Sequence, residues 1–390
     1  MRPPGSVAIV GGGAFGLAAA LELRRRDYEV SVVDRGAVPH PQASSTDISK
    51  AVRMDYGRDL FYADLAELAL ERWRGWNRAV QRPLFHEIGI LLITRGLMAP
   101  GSFESDSFET MLERRVPVER LNASGLARRF PAWHEGGFSD GYFNPAAGWV
   151  ASGEAVAFLA DEARKAGVAI REGAPCKHLV EDGSRVKGIV LEDGEEIRAD
   201  WVVVAAGAWT PRLLPYLSPV MWPVGQPVVH LRPSDRRPFE GDRFPVWCAD
   251  ISTTGWYGFP VTTDGVLKIA NHGPGREIGQ GDPLEPNDGE LGRVLEFVSD
   301  SLPALARVAV AGGRLCLYCD TFDGNFLIDH DPERRGLIVA AGGNGHGFKF
   351  TPVLGEIVAD VLERKQNRWA ERFAWRDTSD GGGEQARCQE

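Results

Sequence analysis

The apolar positions along the chain fall into contrasting textures. Ser6–Val10 is a short apolar run, the cluster GGGAFG follows, residues 17–26 have helical spacing, and Glu29–Val33 is a second apolar run ended by Asp34. That order predicts strand, glycine turn, helix and strand, a βαβ unit. Two later segments, 200–209 (DWVVVAAGAW) and 336–347 (GLIVAAGGNGHG), are unbroken Val/Ile/Ala runs leading into glycines. Runs without alternation suit parallel strands covered on both faces. The second run leads through Phe348-Lys349-Phe350-Thr351-Pro352 into the apolar-periodic stretch 353–362. This predicts a helix with Thr351 as N-cap and Pro352 as its first residue, with Lys349 near its positive end. Residues 86–145 and 215–322 instead carry short alternating strands, prolines and aromatics, the texture of an antiparallel sheet.

The glycines of the first unit are Gly11, Gly13 and Gly16, a G-x-G-x-x-G pattern after a strand and opening a helix. In a dinucleotide-binding fingerprint these residues supply a tight turn, close backbone approach to a pyrophosphate, and close helix–strand packing. The helix N-terminus offers unpaired N–H groups to the phosphates. Asp34, 23 residues beyond Gly11, stands where a carboxylate accepts ribose hydroxyls. The expected fold is α/β (α+β overall): a Rossmann-like dinucleotide domain from residues 1–85, 146–214 and 323–376. An interleaved substrate domain, 86–145 and 215–322, is expected to hold the antiparallel sheet. Residues 377–390 are expected to form a disordered tail.

Charge narrows the function. Lys+Arg number 44 and Asp+Glu 54, a net charge of −10, which argues against nucleic acid as partner because phosphate binding rests on Lys/Arg neutralisation. Five irregularly spaced cysteines give no disulfide framework and point to a reducing compartment. No apolar run approaches the roughly 18–20 residues of a membrane span. The expectation is a soluble, cytoplasmic protein.

With the fingerprint at the N-terminus, the AAG strand and the closing Gly-rich strand–helix, the chain resembles flavoproteins of the glycine/D-amino-acid oxidase type. It looks most like the monomeric sarcosine oxidases, with the amadoriases (fructosyl amino acid oxidases) close by. CLYCDTFDGNFLIDHDP and GNGHGFKFTP are the most specific segments. The resemblance implies FAD, attached covalently through Cys316, which stands 33 residues before Lys349. The rival reading, a C-x-x-C redox or zinc pair with Cys319, lacks a second Cys/His pair, so no metal is expected. Strand periodicity puts Cys316 and Tyr318 on one face and Cys319 on the other. The same alternation puts Lys268 and His272 of GVLKIANHG on one strand face.

The resemblance implies that Lys268 activates oxygen and that Tyr257 is an active-site tyrosine. It implies that Arg53 and Lys349 hold the substrate carboxylate, and it sets Lys50 and Ser49 at the flavin's front edge. It extends the cofactor-binding set to Ala14, Phe15, Arg35, Ser45, Cys176, Gly207, Trp209, Gly343, Gly345, Gly347 and Phe348. The implied protein is a monomer that oxidises the C–N bond of a small amine and passes the electrons to O2, giving H2O2.

Substrate signals conflict. Ser49-Lys50 replaces the Thr-Arg usual in sarcosine oxidases and leans, with GYFNPAAGW (141–149), toward the Asn-Lys of amadoriases. His272 and His346 stand where amadoriases carry the glutamate and arginine that grip the sugar. A small N-methyl amino acid such as sarcosine is the first expectation and a fructosyl amino acid the alternative. A dehydrogenase with a non-oxygen acceptor, an NADPH-dependent monooxygenase and a non-catalytic flavin module are further rivals, separated by peroxide yield, cofactor dependence and flavin bleaching.

Overall fold

The computed structural model describes residues 4–279, 281–376, 378 and 383–388. The chain divides into two compact units, Met1–Asp47 with Ser152–Pro223 and Leu317–Gly383, and Ile48–Ala151 with Val224–Cys316 and Glu384–Glu390.

The first unit is built on β1 (Ser6–Val10), α1 (Ala14–Arg25) and β2 (Glu29–Val33). β1 lies in a six-stranded sheet, flanked by β2 and Trp201–Val204, both parallel to it. Leu337–Ala341 continues the parallel set beyond Trp201–Val204, and Leu327–His330 closes that edge antiparallel. Both glycine-ended runs thus form buried parallel strands. α1 is buried on most of its surface, including Leu17, Ala18, Ala19, Ala20 and Leu23, because the helix Thr351–Leu362 packs against it. The packing requires Gly355: a Cβ there would collide with the carbonyl oxygen of Ala18. Gly355→Ala is therefore expected to lower stability by about 1–3 kcal/mol, the usual cost of overpacking, read as a falling Tm in thermal unfolding. An unchanged Tm would show that the two helices separate freely.

That closing helix starts one residue earlier than the sequence implies. Thr351 is its first residue, Phe350 the N-cap, and the Thr351 hydroxyl donates back to the carbonyl of Phe348. A short 3-10 turn, Gly347–Phe350, runs directly into it.

The second unit contains a nine-stranded sheet whose main path runs Arg276–Glu277, Met221–Leu231, Leu267–Asn271, Trp256–Gly258, Val246–Ala249, Ile90–Thr94, Asp140–Asn144, Glu119–Asn122. Pairing is antiparallel apart from Val246–Ala249 beside Ile90–Thr94. One side is an aromatic core around Trp133, Phe244, Trp247 and Phe297, with Trp133 and Trp247 edge to face at 4.9 Å.

The unit boundaries differ from those expected. Residues 48–85 fold with the second unit, where Lys50–Val52 pairs with Gly148–Val150, which also pairs with Phe85–His86, in a separate three-stranded sheet. Asp55 is locked there by the Tyr142 hydroxyl at 2.7 Å and by Asn144. The change of texture near residue 86 marked the end of the helix Leu60–Ala79 and the onset of strands, not a domain edge. Of the expected tail, residues 377, 379–382 and 389–390 lie outside the described residues. Residues 384–388 pack onto the second unit, with Ala386 and Cys388 buried. Among the described residues no helix is long and apolar enough to cross a membrane.

Candidate active site

In the first unit the strand-to-helix turn is held by its own backbone. Gly11 adopts φ +111°, and a Cβ there would meet the carbonyl of Ala205. Only glycine lets this turn approach the strand Trp201–Val204 so closely. Asp34 accepts the N–H of Gly12 at 2.8 Å and of Gly36 at 3.0 Å. Gly13 is the N-cap of α1, Ala14 its first residue, and Phe15 and Gly16 lie in its first turn. Ser45 is buried beside Gly13, and the Arg35 guanidinium sits over the Trp209 ring at 5.6 Å. Gly207 and Trp209 bound a short 3-10 turn after the first glycine-ended run. Cys176 opens a separate antiparallel sheet, Cys176–Asp182 with Arg185–Leu191 and Glu196–Arg198, where burial pushes its thiol up to about 11.

The loop 342–347 wraps Phe15: Gly343 and Gly347 lie against its ring, and Tyr318 covers Gly345. The loop is pinned by Asn344, a non-glycine residue at φ +45°, which the sequence reading passed over. Its side chain accepts the N–H of Thr321 at 2.7 Å and donates to Gly342. Asparagine tolerates this left-handed conformation better than most residues, so its place inside GGNGHG was a usable signal. Phe348 is buried, and buried Lys349 donates to the carbonyl of His346 at 3.1 Å.

The second unit gathers most of the other predicted residues. Lys268, only 1% exposed, donates to the carbonyl of Ser49 at 2.6 Å and lies 4.7 Å from the centre of the Phe259 ring. This is not the solvated strand face that lysine usually occupies. Register pairs Tyr257 with Ala270, so Tyr257 shares the face carrying Lys268 and leading to His272. Tyr257 meets His272 edge to face at 6.5 Å. Lys50 Nζ lies 3.7 Å from Cys316 Sγ. Cys319, three residues on, is buried against Met221, and burial pushes its thiol up to about 12. A thiol held neutral in this way makes a poor redox or metal pair with Cys316.

Arg53 is 6% exposed, stacked near Tyr56 and Phe103. Its Nη2 donates to Glu384 Oε1 at 3.1 Å, and Glu384 Oε2 meets His272 Nε2 at 2.9 Å. Burial opposes the guanidinium's charge, but attraction from Glu384 carries its pKa above the ordinary arginine value. Glu384 thus joins the cluster and was missed, because it lies in a glycine-flanked segment without periodicity.

The sequence model of the DAO family, FAD dependent oxidoreductases, matches residues 6–361. The chain belongs to that family. The oxidoreductase is 30% identical over 359 residues to N-methyl-L-tryptophan oxidase of Salmonella heidelberg, covering 90% of this chain and 93% of the relative. The Salmonella typhimurium protein of the same name is equally similar. Among solved structures, amadoriase I of Aspergillus fumigatus matches with a TM-score of 0.80 at 24% identity, covering 99% of this chain and 95% of that one. A modified fructosyl peptide oxidase from Aspergillus nidulans gives 0.86 at 21%, covering 100% and 97%. These structural likenesses establish the fold.

The oxidoreductase's own residues fit the family cofactor. α1 has no side-chain cap and no acidic residue in its first turn, so its leading N–H groups remain available to phosphates. Gly11 and Gly13 remove side chains from that approach, and the Asp34 carboxylate is fixed at the end of β2. Gly11, Gly13, Ala14 and Asp34 would hold the dinucleotide part of FAD.

Proposed function

We propose that the protein is an amine oxidase that acts on a small secondary N-methyl amino acid and passes electrons to O2, yielding imine or aldehyde, amine and H2O2. The observation that carries this reading is Lys268, a cation buried on the face it shares with Tyr257 and leading to His272, its ammonium aimed by the Ser49 carbonyl. Bound flavin would supply the redox chemistry, accepting two electrons from the C–N bond. Lys268 then stabilises the negative charge that develops as oxygen is reduced. Arg53 holds the substrate carboxylate by its planar fork. Tyr257 and His272 orient the amine. The names of the Salmonella relatives support an N-methyl amino acid as substrate.

The fructosyl alternative gains one observation. Glu384 supplies a carboxylate beside His272, the group type whose absence at that position argued against a sugar. Kinetics with sarcosine, N-methylalanine, N-methyl-L-tryptophan, fructosyl glycine and fructosyl valine decide. The N-methyl compounds are expected to show the higher kcat/KM with stoichiometric peroxide, and the reverse order sinks the reading. Peroxide-free turnover with an artificial acceptor would make the protein a dehydrogenase.

We also propose that Cys316 carries the flavin through a thioether. Its buried sulfur lies 3.7 Å from the amine of Lys50, the residue that the resemblance sets at the flavin's front edge, which supports this. The yellow colour is expected to stay with the polypeptide on acid precipitation, and to be released in Cys316→Ala. Full release from the unaltered protein rules the linkage out.

A further inference from the structure

The five residues Glu384–Cys388 are bound to the second unit in a way the catalytic reading does not use. Glu384, its side chain 4% exposed, bridges Arg53 and His272. Gln385 accepts the N–H of Arg58 at 3.3 Å. Ala386 is fully buried in a cluster with Leu92, Tyr142 and Phe259. Arg387 donates to the carbonyl of Gly273 at 3.1 Å, and the Cys388 N–H donates to the carbonyl of His272 at 3.2 Å.

Two features make this attachment one that a ligand can undo. No strand ladder anchors the segment, which is held by side chains and a single described backbone bond to His272. Its grip on the guanidinium is also incomplete. Glu384 takes only Nη2 of Arg53, while Nη1 is buried without a hydrogen-bond partner among the described residues. A carboxylate set square to the guanidinium engages both nitrogens, which is the stronger arrangement. A buried guanidinium without an anion is costly, so the site needs one carboxylate at all times. The chain provides that carboxylate itself.

We propose that Glu384 is an internal competitor for the substrate. Its carboxylate satisfies Arg53 and His272 in the free enzyme, and the substrate carboxylate displaces it, lifting Glu384–Cys388 away. This rests on the reading of Arg53 as the carboxylate anchor. Glu384 acts as a specificity-determining residue: a simple carboxylate must pay for displacing it and gains little else, whereas an amino acid adds contacts to its amine and side chain.

The test uses the full-length holoprotein and (methylthio)acetate, in which sulfur replaces the amine nitrogen of N-methylglycine so that no oxidation follows. 2-(Methylthio)ethanol, which lacks the carboxylate, is the control. Calorimetric titration of Glu384→Gln is expected to show (methylthio)acetate bound at least tenfold more tightly than by the unaltered protein, with the control compound unchanged. In the unaltered protein, saturating (methylthio)acetate is expected to speed tryptic cleavage after Arg387, because the segment is released. Unchanged or weaker binding in Glu384→Gln, or cleavage that does not accelerate, overturns the competitor role. If Arg53→Met meanwhile weakens binding, the anchor reading stands alone. If Arg53→Met binds (methylthio)acetate as well as the unaltered protein, or if neither the unaltered protein nor Glu384→Gln binds it, the anchor reading falls and takes the competitor with it.

Discussion

Lys268→Met is expected to slow reoxidation of the reduced enzyme by roughly 10²–10³ while leaving reduction by substrate within a few-fold. Removing one preorganised group aimed at developing charge costs about that much. Lys268 fits the role physically. It is buried to 1% exposure, its ammonium is fixed by the Ser49 carbonyl at 2.6 Å, and it packs over Phe259. Burial limits solvent screening of its field, and a group already fixed in place needs no reorganisation when charge appears on oxygen. Methionine keeps the length and most of the packing, so the loss reports on charge. Lys268→Arg keeps a cation with different geometry and is expected to fall between the two. Rapid mixing with an amine substrate under anaerobic conditions, then with oxygen, separates the half-reactions. Equal slowing of both would make Lys268 a structural residue, and an unchanged oxygen rate would remove it from the site.

The parts of the fold legible in the sequence were those with local cause. β1, α1 and β2 follow from apolar runs, glycine spacing and Asp34, and the two glycine-ended runs became parallel strands because nothing in them alternates. Alternation also placed Lys268 and His272 on one side, although that side proved buried, with the Ser49 carbonyl and the Phe259 ring packed against Lys268. What stayed hidden depends on long-range pairing. Residues 48–85 join the second unit through Lys50–Val52 meeting Gly148–Val150 in a small sheet of its own, a pairing of chain segments about a hundred residues apart. Glu384 was hidden for a related reason. It lies 331 residues from Arg53, and its neighbourhood has the composition of an unstructured tail.

That partner changes the argument for a carboxylate substrate. A buried cation at Arg53 implies an anionic ligand only if nothing else neutralises it, and Glu384 already does so. Binding therefore exchanges one carboxylate for another at Arg53, and the net gain is smaller than a new ion pair would give. Removing the arginine is a different matter. Truncating one member of a buried, hydrogen-bonded charge pair costs about 2–5 kcal/mol, or roughly 30- to several-thousand-fold at 1.4 kcal/mol per tenfold. In Arg53→Met the substrate carboxylate loses its fork and also meets Glu384 with no cation between them. The single variant is thus expected to lose about 10³ in kcat/KM toward N-methyl amino acids, carried mainly by KM, and far less toward an N-methyl amine without a carboxylate. Adding Glu384→Gln to Arg53→Met removes the repulsion but not the missing fork, so the double variant is expected to recover about tenfold. Steady-state kinetics on the four proteins of this cycle measure the coupling. If Arg53→Met costs the carboxylate-free amine as much as the amino acid, Arg53 supports the fold without holding the substrate.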